Sequence, residues 1–301
     1  MSETLRIGTR RSRLALRQAE EIAALLAATG VRTEIVPMTT SGDEGAAVTS
    51  DPQGLKGLWI DTILDALETG DIHLAVHSAK DLPAEDDDGF AIAAVPMRAD
   101  PFDVLVLREA ASLGAGSKVG TSSVRRAAQM LAHDPRLKIV GLRGNVETRL
   151  RKVEDGEIDA AVLAGAGLAR LGIEPAYIQR LDLDTMIPAP GQGCLAVQCL
   201  EDEPDILGAL AAIDHPPSHI ALDAERSLMW RLGGGCALPL GAYAMAGSDG
   251  VSLVACVCLA DGSRVLRADG LGADAESVAG VVAADLIERG AEEILAEVRD
   301  A

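Results

Sequence analysis

Lys118-Val119-Gly120-Thr121-Ser122-Ser123-Val124-Arg125-Arg126 reads as a short strand, a polar turn and the opening of a helix that runs over 124–132. Such a turn sits at the carboxyl end of its strand, which is where open α/β sheets bind ligands. It also opens a helix, whose free N–H groups and dipole favour an anion. The two arginines add planar forks that match carboxylate or phosphate.

The same pattern occurs twice more, at Gly8 to Arg11 after the strand Leu5-Arg6-Ile7, and at Gly141 to Arg149 after a strand over 137–140. The charge pattern sharpens the reading. The chain has 27 Lys plus Arg against 46 Asp plus Glu, a net charge of -19. Yet Arg6, Arg10, Arg11, Arg13 and Arg17 crowd the start of the chain, and Arg143, Arg149, Arg151 and Lys152 crowd one later stretch. A single helical arginine ordinarily snorkels or pairs with a nearby acid; Arg11, Arg17 and Arg151 fit that description. Three clusters at three helix starts point instead to a ligand with several negative groups.

Outward from these turns, strands and helices alternate, the signature of α/β domains. Apolar residues recur at helical spacing from Leu14 to Leu26, with Gly30 as the stop. A strand over 33–36 leads to a polar, Gly-rich stretch over 37–56, long enough to be functional. A helix over 58–68 and strands over 73–76 and 90–95 follow. The chain changes domain near Pro96 to Pro101 and again near Pro188-Ala189-Pro190-Gly191-Gln192-Gly193, after which a strand over 195–200 returns to the first domain. Between the crossings lie a strand over 104–107, the two basic turns, a strand over 159–163 and a small-residue helix to Leu171. The tail differs in kind. A helix over 219–232 precedes three successive strands joined by Asp249-Gly250 and Asp261-Gly262, both hairpin signals, and two helices close the chain. The expected division is 1–98 with 193–214, 99–192, and 215–301.

Composition excludes several classes. With 301 residues the chain can build more than one core, and with 48% hydrophobic but only 2% aromatic residues those cores are aliphatic. The acidic balance argues against a nucleic-acid partner, which needs a basic surface. No apolar segment resembles an export signal or the roughly 18-residue run of a membrane span. Five cysteines, at 194, 199, 236, 256 and 258, form no disulfide-framework spacing, so a reduced cytoplasmic protein is expected. Cys256 and Cys258 alternate along a strand and suit a core. His215 and His219 have the spacing of metal ligands but no third partner, so no metal is expected.

Two residues stand out for chemistry. Cys236 sits in Gly233-Gly234-Gly235-Cys236-Ala237-Leu238-Pro239, a backbone nearly bare of side chains; its thiol is reachable, and a reachable thiolate is a nucleophile. Asp81 follows a strand in Val76-His77-Ser78-Ala79-Lys80-Asp81-Leu82-Pro83. An aspartate there is often a cap. In a basic cleft it is instead an acid/base or cation-stabilising group.

These stretches resemble the hydroxymethylbilane synthase (porphobilinogen deaminase) family. The matching segments are Arg6-Ile7-Gly8-Thr9-Arg10, residues 76–83, Gly120 to Arg126, Leu142-Arg143-Gly144-Asn145-Val146-Glu147-Thr148-Arg149-Leu150, residues 163–172, Pro188 to Gly193 and Gly234 to Pro239. They run in the family's order over nearly the whole chain. The resemblance implies two type II periplasmic-binding-protein-like α/β domains with the site between them, and a small C-terminal α+β domain with an antiparallel sheet. It implies stepwise head-to-tail condensation of four porphobilinogen molecules, each losing ammonia, onto a dipyrromethane cofactor held by a thioether to Cys236, then hydrolytic release of hydroxymethylbilane. Asp81 matches the catalytic aspartate. Arg10, Arg125, Arg126, Arg143, Arg149 and Arg170 match carboxylate-binding positions, and Ser12, Ser78, Lys80, Thr121, Ser122, Ser123 and Gln192 match weaker binding positions. Lys56 matches the active-site loop. A monomer is implied.

This chain departs from the family at Arg13, Ser41, Trp59 and Asp61, none of them Asp81 or Cys236. The competing reading is a two-lobed, non-catalytic binding protein for a small polycarboxylate. It has no use for Cys236 or Asp81.

Overall fold

A computed structural model describes residues 4–39, 52–85, 87–110, 112–233 and 238–299, with the backbone alone at 52–59 and 298–299. Cys236 and Ser41 lie outside the described residues, as do the side chains of Lys56 and Trp59.

The chain begins with β1 (Leu5–Arg10), α1 (Arg13–Ala28), β2 (Thr33–Met38), α2 (Pro52–Glu68), β3 (Leu74–Ser78), a 3-10 turn at Ala79–Asp81 and β4 (Phe90–Ala94). It continues through β5 (Asp103–Leu107), β6 (Lys118–Gly120), α3 (Val124–His133), β7 (Lys138–Val140), α4 (Val146–Glu154), β8 (Ala160–Ala164), α5 (Gly165–Leu171) and β9 (Ile178–Arg180). Then come β10 (Leu195–Leu200), α6 (Pro204–Ala211), α7 (Pro216–Arg231), β11 (Leu240–Gly247), β12 (Gly250–Cys258), β13 (Val265–Gly272), α8 (Ala275–Glu288) and α9 (Ala291–Arg299). Two compact units result: Met1–Arg98 with Cys194–His219, and Ala99–Gly193 with Ile220–Ala301.

The first unit is built on a five-stranded sheet in the order β2-β1-β3-β10-β4. β1, β2 and β3 are parallel, and the returning β10 runs antiparallel to both neighbours, as expected of a strand that comes back from the second crossing. Side chains alternate across the sheet. Leu74, Val76, Leu195 and Val197 pack on one face with Ile22, Leu26 and Leu210 of α1 and α6. Ala75 and Phe90 pack with Ile63 and Leu67 of α2.

The second unit contains the sheet β7-β6-β8-β5-β9, which repeats that arrangement: β6, β7 and β8 are parallel, and β5 is antiparallel to β8 and β9. The repeat reaches single residues. A Cβ on Gly8, near the end of β1, would collide with the Ile72 side chain, and one on Gly120, at the end of β6, with Ile158. Each isoleucine lies two residues before the third strand of its sheet. The glycines therefore let a bulky side chain cross the strand just before the turn.

The small third sheet is the antiparallel meander β11-β12-β13, with α8 packed on it through Val278, Val282 and Leu286, all buried. Gly250 (φ +116°) and Gly262 (φ +74°) take the left-handed backbone that the two hairpin turns require. Cys256 and Cys258 are fully buried beside Ala128 and Ile187, as their alternation predicts. The described residues thus form the expected mixed fold: two α/β sheets of the same type II order and a separate antiparallel sheet.

Three differences have physical reasons. α2 begins at Pro52, six residues before the expected start, because proline suits a first helical turn. α6 was not anticipated, although Pro204 and Asp205 at its start are ordinary opening signals. β9 was not anticipated either; its three residues are all exposed and carry no alternation.

Candidate active site

In the first unit, the carboxyl ends of β1 and β3 and the start of α1 meet at a cleft of about 120 Å³. Its polar lining includes Arg10, Ser12, His77, Ser78 and Asp81, and Ile60 and Ile63 of α2 supply apolar wall. Ser12 caps α1, its Oγ accepting from the Ala15 amide at 3.2 Å. The buried Gln18 donates to Ser78 Oγ at 2.7 Å, tying α1 to the end of β3. The chain then makes its 3-10 turn. The Ala79 amide donates to the Cys194 carbonyl at 3.1 Å, and Ala79 and Leu82 are buried. Asp81, between two anchored neighbours, is exposed and lines the cleft. It is the last residue of the turn, and Ser78 holds the N-cap position. Lys80 is half-buried on the same turn.

His77, directly before Ser78, was not singled out from the sequence. Burial pushes its imidazole down to about 4, and the charge of Asp81 and the Gln198 side chain only partly oppose this. Its Nε2 is sealed from solvent without a hydrogen-bond partner, as is Oε1 of Gln198. The ring is neutral at pH 7, so Asp81 faces no imidazolium.

In the second unit, α4, α3 and α5 open side by side from the carboxyl ends of β7, β6 and β8. Ser123 caps α3, accepting from the Arg126 amide at 3.4 Å, and Asn145 caps α4, accepting from Thr148 at 2.8 Å. Thr121 is buried, and its hydroxyl accepts from the Ser123 amide at 3.1 Å. Ser122 ties the two basic turns together: it donates to the Leu142 carbonyl at 3.0 Å and accepts from the Leu142 amide at 2.9 Å. Arg143 is exposed; Arg149 is half-buried and donates to the Gly144 carbonyl at 2.8 Å. Arg170 donates to the Gly193 carbonyl at 3.2 Å.

Arg125 and Arg126 are placed differently from an open carboxylate clamp. Only 4% and 7% exposed, they close on Asp103 at 2.8 and 2.7 Å, and Asp103 is fully buried at the start of β5. Arg125 also donates to the Ile187 carbonyl at 2.6 Å, and Arg126 to the Val162 carbonyl at 3.0 Å. Gln192 is buried with them, donating to Asp103 Oδ1 at 3.0 Å and to the Pro101 carbonyl at 2.7 Å. Burial alone would push the Asp103 carboxyl up, but the two guanidiniums hold it well below the usual carboxylate range. Two guanidiniums against one carboxylate leave an excess of positive charge. Arg149 adds to it, being near enough that its charge helps lower Arg126, which burial lowers most. Asp103 had a visible signal, an acid opening the otherwise apolar strand Asp103-Val104-Leu105-Val106-Leu107.

His215 and His219 have local partners: their Nδ1 atoms lie 2.9 Å from Ser218 Oγ and 2.8 Å from Asp214 Oδ1. No helix of the described residues is long and apolar enough to cross a membrane.

Comparison with known proteins agrees along nearly the whole chain. A family model described as "Porphobilinogen deaminase, dipyromethane cofactor binding domain" matches residues 5–208, and "Porphobilinogen deaminase, C-terminal domain" matches residues 220–288. A porphobilinogen deaminase of Nocardia farcinica is 44% identical over 311 residues, covering 98% of this chain and 88% of the relative. That of Chromobacterium violaceum is 44% identical over 299 residues, 97% of each chain. That of Brevibacillus brevis is 40% identical over 299 residues, again 97% of each. Among solved structures, an ancestral cationic amino acid solute binding protein is similar over 74% of this chain and 93% of its own, at 17% identity and a TM-score of 0.43.

Proposed function

Since the chain belongs to the porphobilinogen deaminase family, we propose that Asp81 is its catalytic carboxylate and Cys236 the attachment point of its dipyrromethane cofactor. The activity is that of a transferase, hydroxymethylbilane synthase: porphobilinogen units are condensed head to tail with loss of ammonia. The full-length match to porphobilinogen deaminases carries this conclusion. The cofactor, when bound, supplies the primer, a pyrrole α carbon to which rings are added.

The chemistry asks specific things of the chain. In each condensation the C–N bond of one porphobilinogen breaks, ammonia leaves, and positive charge stays on that ring. The cofactor would supply the carbon that receives this ring, and the proton displaced there needs an acceptor on this chain. The exposed carboxylate of Asp81, fixed by the anchored 3-10 turn, accepts from pyrrole N–H groups, stabilises the cation and takes up the proton. The neutral His77 beside it sets no imidazolium against that carboxylate. Arg10, Ser12, Ser78 and Lys80 surround the incoming ring's acidic side chains in this reading.

In the second unit, Arg143, Arg149 and Arg170 bind the acetate and propionate groups, with Thr121, Ser122, Ser123 and Gln192 shaping the turns and Arg125 and Arg126 supplying charge from beneath. The residues fit a group of that kind. Basic turns open the adjacent helices α3 and α4 in a chain of net charge -19, and Arg170 lies in the last turn of α5, so positive charge is gathered where a polyanion would lie. Lys56 is proposed as a substrate-binding residue of the active-site loop. Hydrolytic release, a monomer in the cytoplasm and the three-domain division complete the proposal, the last supported by the separate antiparallel sheet.

Turnover of porphobilinogen by Asp81→Asn tests the assignment. A loss of about two to three orders of magnitude is expected from removing one electrostatic stabiliser. Stability should change by less than about 0.5 kcal/mol, since the side chain is exposed. Turnover within a few-fold of wild type would remove Asp81 from the mechanism.

A further inference from the structure

Among the described residues of the second unit two carboxylates are completely buried, Asp103 and Glu225, and neither has a part in the chemistry above. A continuous set of contacts joins them. Glu225, on α7, accepts from the Gly191 amide at 2.6 Å with one oxygen and from the Ala244 amide of β11 at 2.7 Å with the other. The next residue after Gly191 is Gln192, whose side chain donates to Asp103 at 3.0 Å and accepts from Arg126 at 3.4 Å. Asp103 in turn grips Arg125 and Arg126. The path therefore runs from α7, through the Gly191–Gln192 turn, to the two arginines at the first turn of α3. α7 ends at Arg231, five residues before Cys236 in the sequence.

We propose that Glu225 and Asp103 are positioning residues for cofactor binding, holding the helix that leads to Cys236 in register with Arg125 and Arg126. The proposal rests on the reading in which Cys236 carries the cofactor and the arginine turns face its carboxylates. The residue types support it. Both backbone partners of Glu225 are N–H donors. Only a carboxylate offers acceptors at both ends, whereas glutamine would turn its own NH₂ against one of them. The short distances are those of charge-assisted bonds. Asp103 needs its charge for the same reason: two buried guanidiniums face it, and a neutral amide would leave them without a counter-ion.

A purely structural staple would cost stability alone. A positioning path makes a different prediction: breaking it at either carboxylate impairs the same step, so the two losses do not multiply. The experiment uses apo protein of wild type, Glu225→Gln, Asp103→Asn and the double variant. Each is given porphobilinogen, the gain of the two-pyrrole mass is followed by intact mass spectrometry, and urea midpoints are measured alongside. Each single variant is expected to load at least tenfold more slowly, and the double variant within about twofold of the slower single. Should Asp103→Asn not fold, Glu225→Gln combined with Gln192→Met supplies the same cycle. Loading within twofold of wild type in a destabilised single variant, or losses that multiply in the double, would overturn the proposal. A wild-type protein that gains no pyrrole mass overturns the underlying reading, and the proposal with it.

Discussion

Replacing His77 by glutamine should flatten the acid side of the stability profile. In the fold the imidazole titrates near 4 rather than at the ordinary 6.5, chiefly because it is buried. Between those values an unfolded chain binds the proton and the folded one does not. Stability therefore rises with pH across that window and falls on acidification. At 1.36 kcal/mol per pH unit, full acidification through the window removes about 3 kcal/mol, of which about 2 kcal/mol is gone by pH 5. Glutamine at this position has no proton to bind in this pH range. Urea unfolding of wild type and His77→Gln at pH 7.5, 6 and 5 reads the effect directly. The difference between the two proteins should shift by about 2 kcal/mol in favour of the variant between pH 7.5 and pH 5. Parallel pH profiles would refute the desolvated, neutral imidazole.

Other variants test other parts of the structure. The guanidiniums that hold Asp103 below the carboxylate range give it a stabilising contribution that is present above an ordinary pKa near 4 and is lost as pH falls further. Asp103→Asn should erase that acid dependence in urea titrations while costing about 3–5 kcal/mol at pH 7. Ser122→Ala removes both hydrogen bonds to Leu142 and should cost about 1–2 kcal/mol by the same assay. Gly193→Ala should be worse than a simple strain penalty of about 1–2 kcal/mol, because φ is +91° and the new Cβ would lie 2.5 Å from the Ala99 carbonyl oxygen. A melting temperature equal to wild type would contradict that geometry.

Much of this was legible in the sequence because it is local. Periodicity and turn chemistry fix β6, the α3 start and the two hairpins, and Asp249-Gly250 and Asp261-Gly262 fall where left-handed backbone is needed. Asp81 was legible as an aspartate just after a strand, and its anchored turn follows from Ala79 and Leu82 being apolar. What stayed hidden depends on partners far along the chain. Arg125 and Arg126 look like free ligand donors until Asp103, about twenty residues earlier, folds beneath them. Glu225 resembles any acid on a helix until Gly191 and Ala244 aim their amides at it. His77 reads as part of a motif, and only the packing of the sheet shows that its Nε2 is sealed. The short exposed β9 had no pattern to read.

The most direct test of the account is the intact mass of the purified protein beside that of Cys236→Ser, before and after porphobilinogen is added. The account predicts that wild type carries, or acquires, the mass of two linked pyrroles and then gains further rings, while Cys236→Ser does neither. A wild-type mass that stays bare in the presence of porphobilinogen, or a pyrrole adduct that persists on Cys236→Ser, would contradict it.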